Sequence, residues 1–201
     1  MNTFLGGIEF CEKCRLKKTR TNVVKYKGSP SSDIMFLGGS PDLLDDQKGT
    51  PFNGKIGKWV NAILDYLGLG LSEVYLTNAV KCCPITDNSG DKREPTPKEI
   101  KNCGSWLKEE IEVVNPNIII IMGGTALEVF FRDNKLSTVA GKLLRGHTYL
   151  EEKGILLFGL LHPKVLVRNQ SDYKPIFTKH LDELKDILEN MKGVVKHEVA
   201  Y

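Results

Sequence analysis

Residues 117–124 read Asn117-Ile118-Ile119-Ile120-Ile121-Met122-Gly123-Gly124. A strand with one face in water alternates apolar and polar side chains, and this run does not. It is also too short for a buried helix, and the glycine pair ends it as a turn would. The reading is a strand covered on both faces, the kind found in parallel sheets flanked by helices on either side.

Working outward, three further segments read as strands: Asp33–Leu37 before Gly38-Gly39, Val74–Lys81, and Ile155–Leu161 before His162-Pro163. Helices fall between them. Ile56, Trp59, Val60, Ile63, Leu64 and Leu67 recur at three- and four-residue spacing, with Gly68 as the stop. Thr96-Pro97-Lys98-Glu99 has the form of a capping box with proline in the first turn, opening a helix to about Val114. Another helix is expected near Thr125–Phe131, and a final amphipathic one carries Ile176, Leu181, Leu184, Ile187, Leu188 and Met191. The expected fold class is α/β, a three-layer α/β/α arrangement around a central, mainly parallel four-stranded sheet. In such folds ligands bind beyond the carboxyl ends of the strands. There lie Gly38–Phe52, overlapping the Ser40–Asn53 segment that reads as a loop with Asp42, Asp45 and Asp46, then Asn78–Lys81, Gly123-Gly124 and His162.

The chain has 201 residues, 41% of them hydrophobic, which suits one packed domain and excludes a disordered chain. No apolar run approaches the roughly 18 residues of a membrane span. The N-terminus turns charged too early for a secretory signal. Five cysteines, an odd count, argue against a disulfide framework and for a reduced, cytoplasmic chain that uses thiolates for metal. Net charge is only +3, but Lys13, Arg15, Lys17, Lys18, Arg20, Lys25 and Lys27 lie between Cys11 and Gly28, with Glu12 as the one acid. That density suits phosphate contacts.

Cys11 and Cys14 form a C-x-x-C pair, Cys82 and Cys83 are adjacent, and Cys103 follows. Four-thiolate ligation of zinc or of an iron–sulfur cluster fits this set, and spacing does not separate the two. A redox dithiol would place the C-x-x-C after a strand at a helix start, unlike this basic N-terminal segment.

Taken in order, several segments resemble the iron–sulfur uracil-DNA glycosylases of the family 4 type. They are Cys11-x-x-Cys14, Gly38-Gly39-Ser40-Pro41, Gly49-Thr50-Pro51-Phe52-Asn53-Gly54, Thr77-Asn78-Ala79-Val80-Lys81-Cys82, Pro95-Thr96-Pro97 with Cys103, Ile121-Met122-Gly123, Leu144-Arg145-Gly146, and His162-Pro163 with Leu166, Arg168 and Asn169. The resemblance implies one domain over 1–201, with 1–30 as a basic cluster-binding segment and 173–201 as a C-terminal helix and tail. It implies a structural [4Fe–4S] cluster on Cys11, Cys14, Cys82 and Cys103, with Cys83 as the spare thiol or the replacement for Cys82.

By the same resemblance, Gly38, Gly39, Phe52 and Asn78 bind a uracil turned out of the DNA stack. Phe52 stacks on the ring and Asn78 reads its edge. His162 stabilises charge on the leaving uracil O2, Leu166 is the wedge in the duplex, and Arg168, Lys17 and Lys18 hold phosphates. The family's first motif has a carboxylate after its first glycine. Here that place is Gly39, and Asp45 is the expected catalytic substitute, with Asp42 and Asp46 as alternatives. The expected function is removal of uracil from DNA by a monofunctional, monomeric hydrolase that leaves an abasic site. The alternative, prompted by Gly39, is a glycosylase-like iron–sulfur DNA-binding protein with altered specificity or no activity.

Overall fold

The computed structural model describes residues 5–86, 89–132 and 134–198, with 192–198 as backbone alone. Four parallel strands form the middle of the sheet: β2 (Ile34–Gly38), β3 (Val74–Asn78), β4 (Ile118–Met122) and β6 (Leu156–Leu160). Their spatial order is β3-β2-β4-β6. The expected four-stranded sheet has six strands, because β1 (Lys27–Gly28) and β5 (Lys142–Leu144) add antiparallel edges to β3 and β6. Strands of two and three residues on a sheet edge need no apolar run, so the hydrophobic pattern does not announce them.

The uninterrupted apolar runs are explained by two cores. Even-numbered residues Ile34, Phe36, Ile118, Ile120 and Met122 pack with α2 (Gly54–Leu67) and α8 (Gln170–Glu198). Odd-numbered Met35, Leu37, Ile119 and Ile121 pack with α3 (Pro97–Val114), joined by Ala126 and Leu127 of α4 (Gly124–Glu128). Each isoleucine of β4 is fully buried, and truncating one to alanine typically costs about 2–5 kcal/mol.

Helix ends follow local chemistry. The Thr96 hydroxyl accepts from the Glu99 backbone N–H, and the Glu99 side chain returns to the Thr96 N–H, the expected capping box. Gly68 closes α2 in the left-handed conformation. Two expectations are corrected. The 40–53 segment is not all loop: Asp42 caps a six-residue helix, α1 (Leu43–Lys48), and Asp45 completes its capping box. On α8 the buried stripe is Phe177, Leu181, Leu184 and Leu188, whereas Ile176 is exposed. No described helix is long and apolar enough to cross a membrane.

Candidate active site

The carboxyl ends of β2 and β3 lie side by side, with Gly38 paired to Asn78. Gly38 is needed there by space. A Cβ added to it would fall 2.4 Å from Asn78 Oδ1 and 2.9 Å from the Phe52 ring. The three residues therefore converge, as the sequence reading required. Asn78 is 2% exposed, and its amide Nδ2 is buried with no hydrogen-bond partner among the described residues. A buried donor left unmet costs about 1–3 kcal/mol. A fold keeps such a group where a ligand will accept from it.

Phe52 is held in a left-handed backbone conformation, φ 56°, which a side-chain-bearing residue adopts only when its surroundings enforce it. Asp45 does the enforcing. Its Oδ1 accepts from the Asn53 N–H at 2.7 Å and from Asn53 Nδ2 at 3.0 Å, while Oδ2 accepts from the Asp42 N–H. Burial raises its pKa, against those hydrogen bonds. The structure thus places the expected catalytic carboxylate under the Phe52 turn, fully occupied by it. Asp45, like Phe52 and Asn78, is absent from the lining of the cavity described next. Asp46 is also committed, accepting from the Thr21 and Asn22 N–H groups and so tying the N-terminal segment to α1. Asp42 Oδ1 is taken by the cap.

A cavity of about 280 Å³ opens beside Gly39, lined also by Ser40, Lys92, Glu94, Thr125, His162 and Lys164. His162 follows β6, as expected. Its Nδ1 accepts from the Lys164 N–H at 3.0 Å, so in the neutral ring the proton sits on Nε2, leaving that atom a donor. Burial, helped by the nearby Lys92 and Lys164 charges, pushes its pKa down to about 4. The ring is neutral at physiological pH.

Four cavity residues, Lys92, Glu94, Thr125 and Lys164, escaped the sequence reading. Arg93 explains how the first two arrive. It donates to both Glu99 oxygens, at 2.8 and 2.7 Å, and to the Ile85 carbonyl. The flanking Lys92 and Glu94 are turned towards the cavity, where Lys92 Nζ donates to the Ser40 carbonyl and Thr125 Oγ1 donates to Glu94 Oε2. Glu99 is 2% exposed. Burial disfavours its charge, but Arg93, the Thr96 N–H and Arg15 outweigh that and hold its pKa at about 2.

Leu166, the expected wedge, is 5% exposed and packs in the core with Phe177. On the same short helix, α7 (Lys164–Arg168), Val167 is 41% exposed. Arg168 is exposed, as are Lys17 and Lys18, with Lys17 paired to Glu12 at 2.6 Å. Much of the basic N-terminal charge is spent internally: Arg15 pairs with Glu99, Lys25 with Glu9, and Arg20 donates to the Cys11 and Glu9 carbonyls.

A second site lies where the N-terminal segment meets β3 and α3. Cys11, Cys14, Cys82 and Cys103 line one cavity, walled by Leu16, Val80 and Trp106. Cys83 is outside that lining, and the charges acting on its buried thiol are those of Lys92 and of Asp42, Asp45 and Asp46. N–H groups face the sulfurs: Trp106 Nε1 to Cys11 at 3.2 Å, the Lys81 N–H to Cys103 at 3.3 Å and Arg20 Nη1 to Cys82 at 3.5 Å. Burial lifts Cys82 to about 11 and Cys103 to about 12. Donors that prefer a thiolate face Cys11, Cys82 and Cys103, while burial penalises the thiolate at Cys14, Cys82 and Cys103. Such a site fits a cationic metal group that restores the balance. Among the described residues, no three cysteine, histidine, aspartate or glutamate side chains converge as the ligands of one ion do.

Beneath this site runs a buried polar network. Lys81, 1% exposed, pairs with Glu110, 0% exposed, and donates to Thr77 Oγ1 at 2.6 Å. Tyr75 and Thr77 hydroxyls each donate to Glu110 at 2.9 Å.

Fold and site together define an α/β protein with a buried, unpartnered amide against an aromatic ring at the carboxyl ends of parallel strands, and with a four-thiol cavity. Residues 26–191 match the family described as the Uracil DNA glycosylase superfamily, and the chain belongs to that family. It is 35% identical over 186 residues to the type-4 uracil-DNA glycosylase of Archaeoglobus fulgidus, covering 88% of this chain and 91% of that one. It is 32% identical over 183 residues to the type-4 uracil-DNA glycosylase of Thermotoga maritima, covering 90% and 91%. The type-4 enzyme of Sulfurisphaera tokodaii is 33% identical over 177 residues, covering 86% and 76%.

Proposed function

We propose that this chain removes uracil from DNA by hydrolysing the N-glycosidic bond, leaving an abasic site. The observation that carries this reading is the buried, unpartnered Asn78 Nδ2 beside the Phe52 ring. Uracil offers a face to stack and a carbonyl to accept from that amide. The base must leave the stack to reach an amide this buried. Neutral His162 then presents Nε2–H to the uracil O2, where negative charge grows as the bond to the sugar lengthens. A fixed donor at a developing anion stabilises it without having to reorganise as the charge appears. Asp45 and Gly38 act by position: one holds the Phe52 turn, the other leaves room for ring and amide.

Arg168, Lys17 and Lys18 would contact phosphates, and Val167, more exposed than Leu166, is the apolar side chain available to a duplex. In this reading residues 1–201 work as one domain and as a monomer. All five thiols are unbridged, which suits the cytoplasm.

Cys11, Cys14, Cys82 and Cys103 would hold a [4Fe–4S] cluster. The cluster would supply a structural link between the N-terminal segment, β3 and α3. Purified protein is expected to be brown and to carry about four irons per chain, one cluster's complement. Cys83→Ser should keep that iron, and Cys82→Ser should lose it together with thermal stability. Iron retained by Cys82→Ser and lost by Cys83→Ser would reverse the assignment.

The functional test is incubation with a labelled oligonucleotide bearing one deoxyuridine, followed by hot alkali. Cleavage at the uracil is expected. Asn78→Ala should lower kcat/KM by about 100-fold, as when a site loses a hydrogen bond built for its substrate. Wild-type protein that binds this DNA without releasing base would favour the alternative, a DNA-binding relative without activity.

A further inference from the structure

Hydrolysis of a glycosidic bond passes through an oxocarbenium-like sugar and needs a nucleophilic water. A carboxylate near C1′ ordinarily serves both needs. The position after Gly38 carries no side chain here, and the three aspartates of α1 and its cap are committed to backbone and turn contacts. Among the described residues lining the cavity there is one carboxylate, Glu94, facing two ammonium groups, Lys92 and Lys164.

How Glu94 is held bears directly on the empty side-chain position. A Cβ built at Gly39 would lie 2.8 Å from Thr125 Cβ and 3.3 Å from both Thr125 Cγ2 and Oγ1. The Thr125 side chain thus fills the volume that a residue-39 side chain would take. Its hydroxyl donates to Glu94 Oε2 at 3.1 Å. The first turn of α4 occupies the vacated space and uses it to seat a carboxylate from the 89–96 segment. Arg93, forked onto Glu99, locks that segment from behind.

We propose that Glu94 is the catalytic carboxylate of this protein, with Thr125 as its positioning residue, the pair replacing the acid missing at Gly39. This inference rests on the uracil-excising reading above. In the step, the C1′–N1 bond breaks and its electron pair leaves with uracil, spreading onto O2 opposite His162 Nε2–H. A water oxygen bonds to C1′ and gives one proton to the Glu94 carboxylate, which returns it to solvent. The uracil anion takes up a proton, and the balance is water plus nucleoside to free base plus sugar hydroxyl.

The test uses full-length, cluster-loaded protein and a single-stranded oligonucleotide with one deoxyuridine, under single-turnover conditions. Binding is measured with the non-hydrolysable 2′-fluoro analogue. Glu94→Gln is expected to lower the rate by about 100-fold or more, the usual scale of a general base, while binding stays within about threefold. Formate should restore Glu94→Ala by at least about tenfold, since a small carboxylate can enter the gap; a residue that only supports the fold would show no such rescue. Thr125→Val should slow the reaction more than Thr125→Ser, which keeps the hydroxyl. Wild-type cleavage with Glu94→Gln at full rate, or no formate rescue of a slow Glu94→Ala, would overturn this proposal alone. No cleavage by wild type would overturn it together with the function on which it rests.

Discussion

Replacing His162 with alanine is expected to slow single-turnover uracil release by about 10²–10³-fold, the cost of removing one donor from a developing oxyanion. Binding of uracil-containing DNA should change little, because the ring acts on charge that appears only as the bond breaks. The pH dependence follows from the same geometry. With its pKa near 4, the ring stays neutral from pH 8 to about 5, and the His162 contribution to the rate should be flat across that range. Below that, a proton on Nδ1 would face the Lys164 N–H from which Nδ1 now accepts, and the ring would lose its anchor. Stability moves in the same direction. The folded pKa lies below the ordinary 6.5, so between those values the unfolded chain binds the extra proton. The His162 contribution is complete above pH 6.5 and is lost as pH falls through about 4. A pH series of denaturant midpoints for wild type and His162→Ala checks this. Equal acid sensitivity of the two in the 6.5-to-4 window would be wrong for the site described.

The largest stability effect is expected at Lys81. Lys81→Met leaves the Glu110 carboxylate buried without its cation, and breaking one side of a buried pair costs about 3–5 kcal/mol. Against a total of about 5–15 kcal/mol for a domain, that is a large fraction. The loss should also reach the four-thiol site, since the Lys81 N–H faces Cys103 Sγ and its carbonyl accepts from Val24. The double variant Lys81→Met/Glu110→Leu removes both charges; Tyr75 then loses its Glu110 acceptor, and Thr77 loses that acceptor and the Lys81 donor. It should recover much of the lost stability, read as the shift in denaturant midpoint around a double-mutant cycle. Recovery no better than the sum of the single losses would mean that the pair contributes nothing as a pair.

The residues legible in the sequence share one property: their places follow from position in a local pattern. Asn78, Phe52 and His162 stand at strand ends or in an ordered motif, and the structure brings them to one end of the sheet. Cys11, Cys14, Cys82 and Cys103 line one cavity, and the choice between Cys82 and Cys83 was open in the sequence because adjacent residues share every pattern. The chain geometry separates them, with Cys82 lining the four-thiol cavity and Cys83 outside it near the α1 acids. Leu166 and Asp45 show the converse. A leucine on a short helix after a strand can face out or in, and only packing against Phe177 puts it inside. Asp45 looked available because the 40–53 segment read as loop, while a six-residue helix with a capping box consumes its carboxylate.

What the sequence by itself determined is the class of fold and the chemistry at the strand ends. A run such as Ile118–Ile121 must be covered on both faces, and covered parallel strands place their loops at one edge. Two things were decided only by the tertiary structure: the short edge strands, which carry no hydrophobic signature, and the identity of the acid in the cavity. Glu94 and Thr125 are 31 residues apart and meet because Arg93 pins one segment while the missing side chain at Gly39 admits the other. That juxtaposition depends on the volume left by an absent side chain, and no spacing along the chain encodes it.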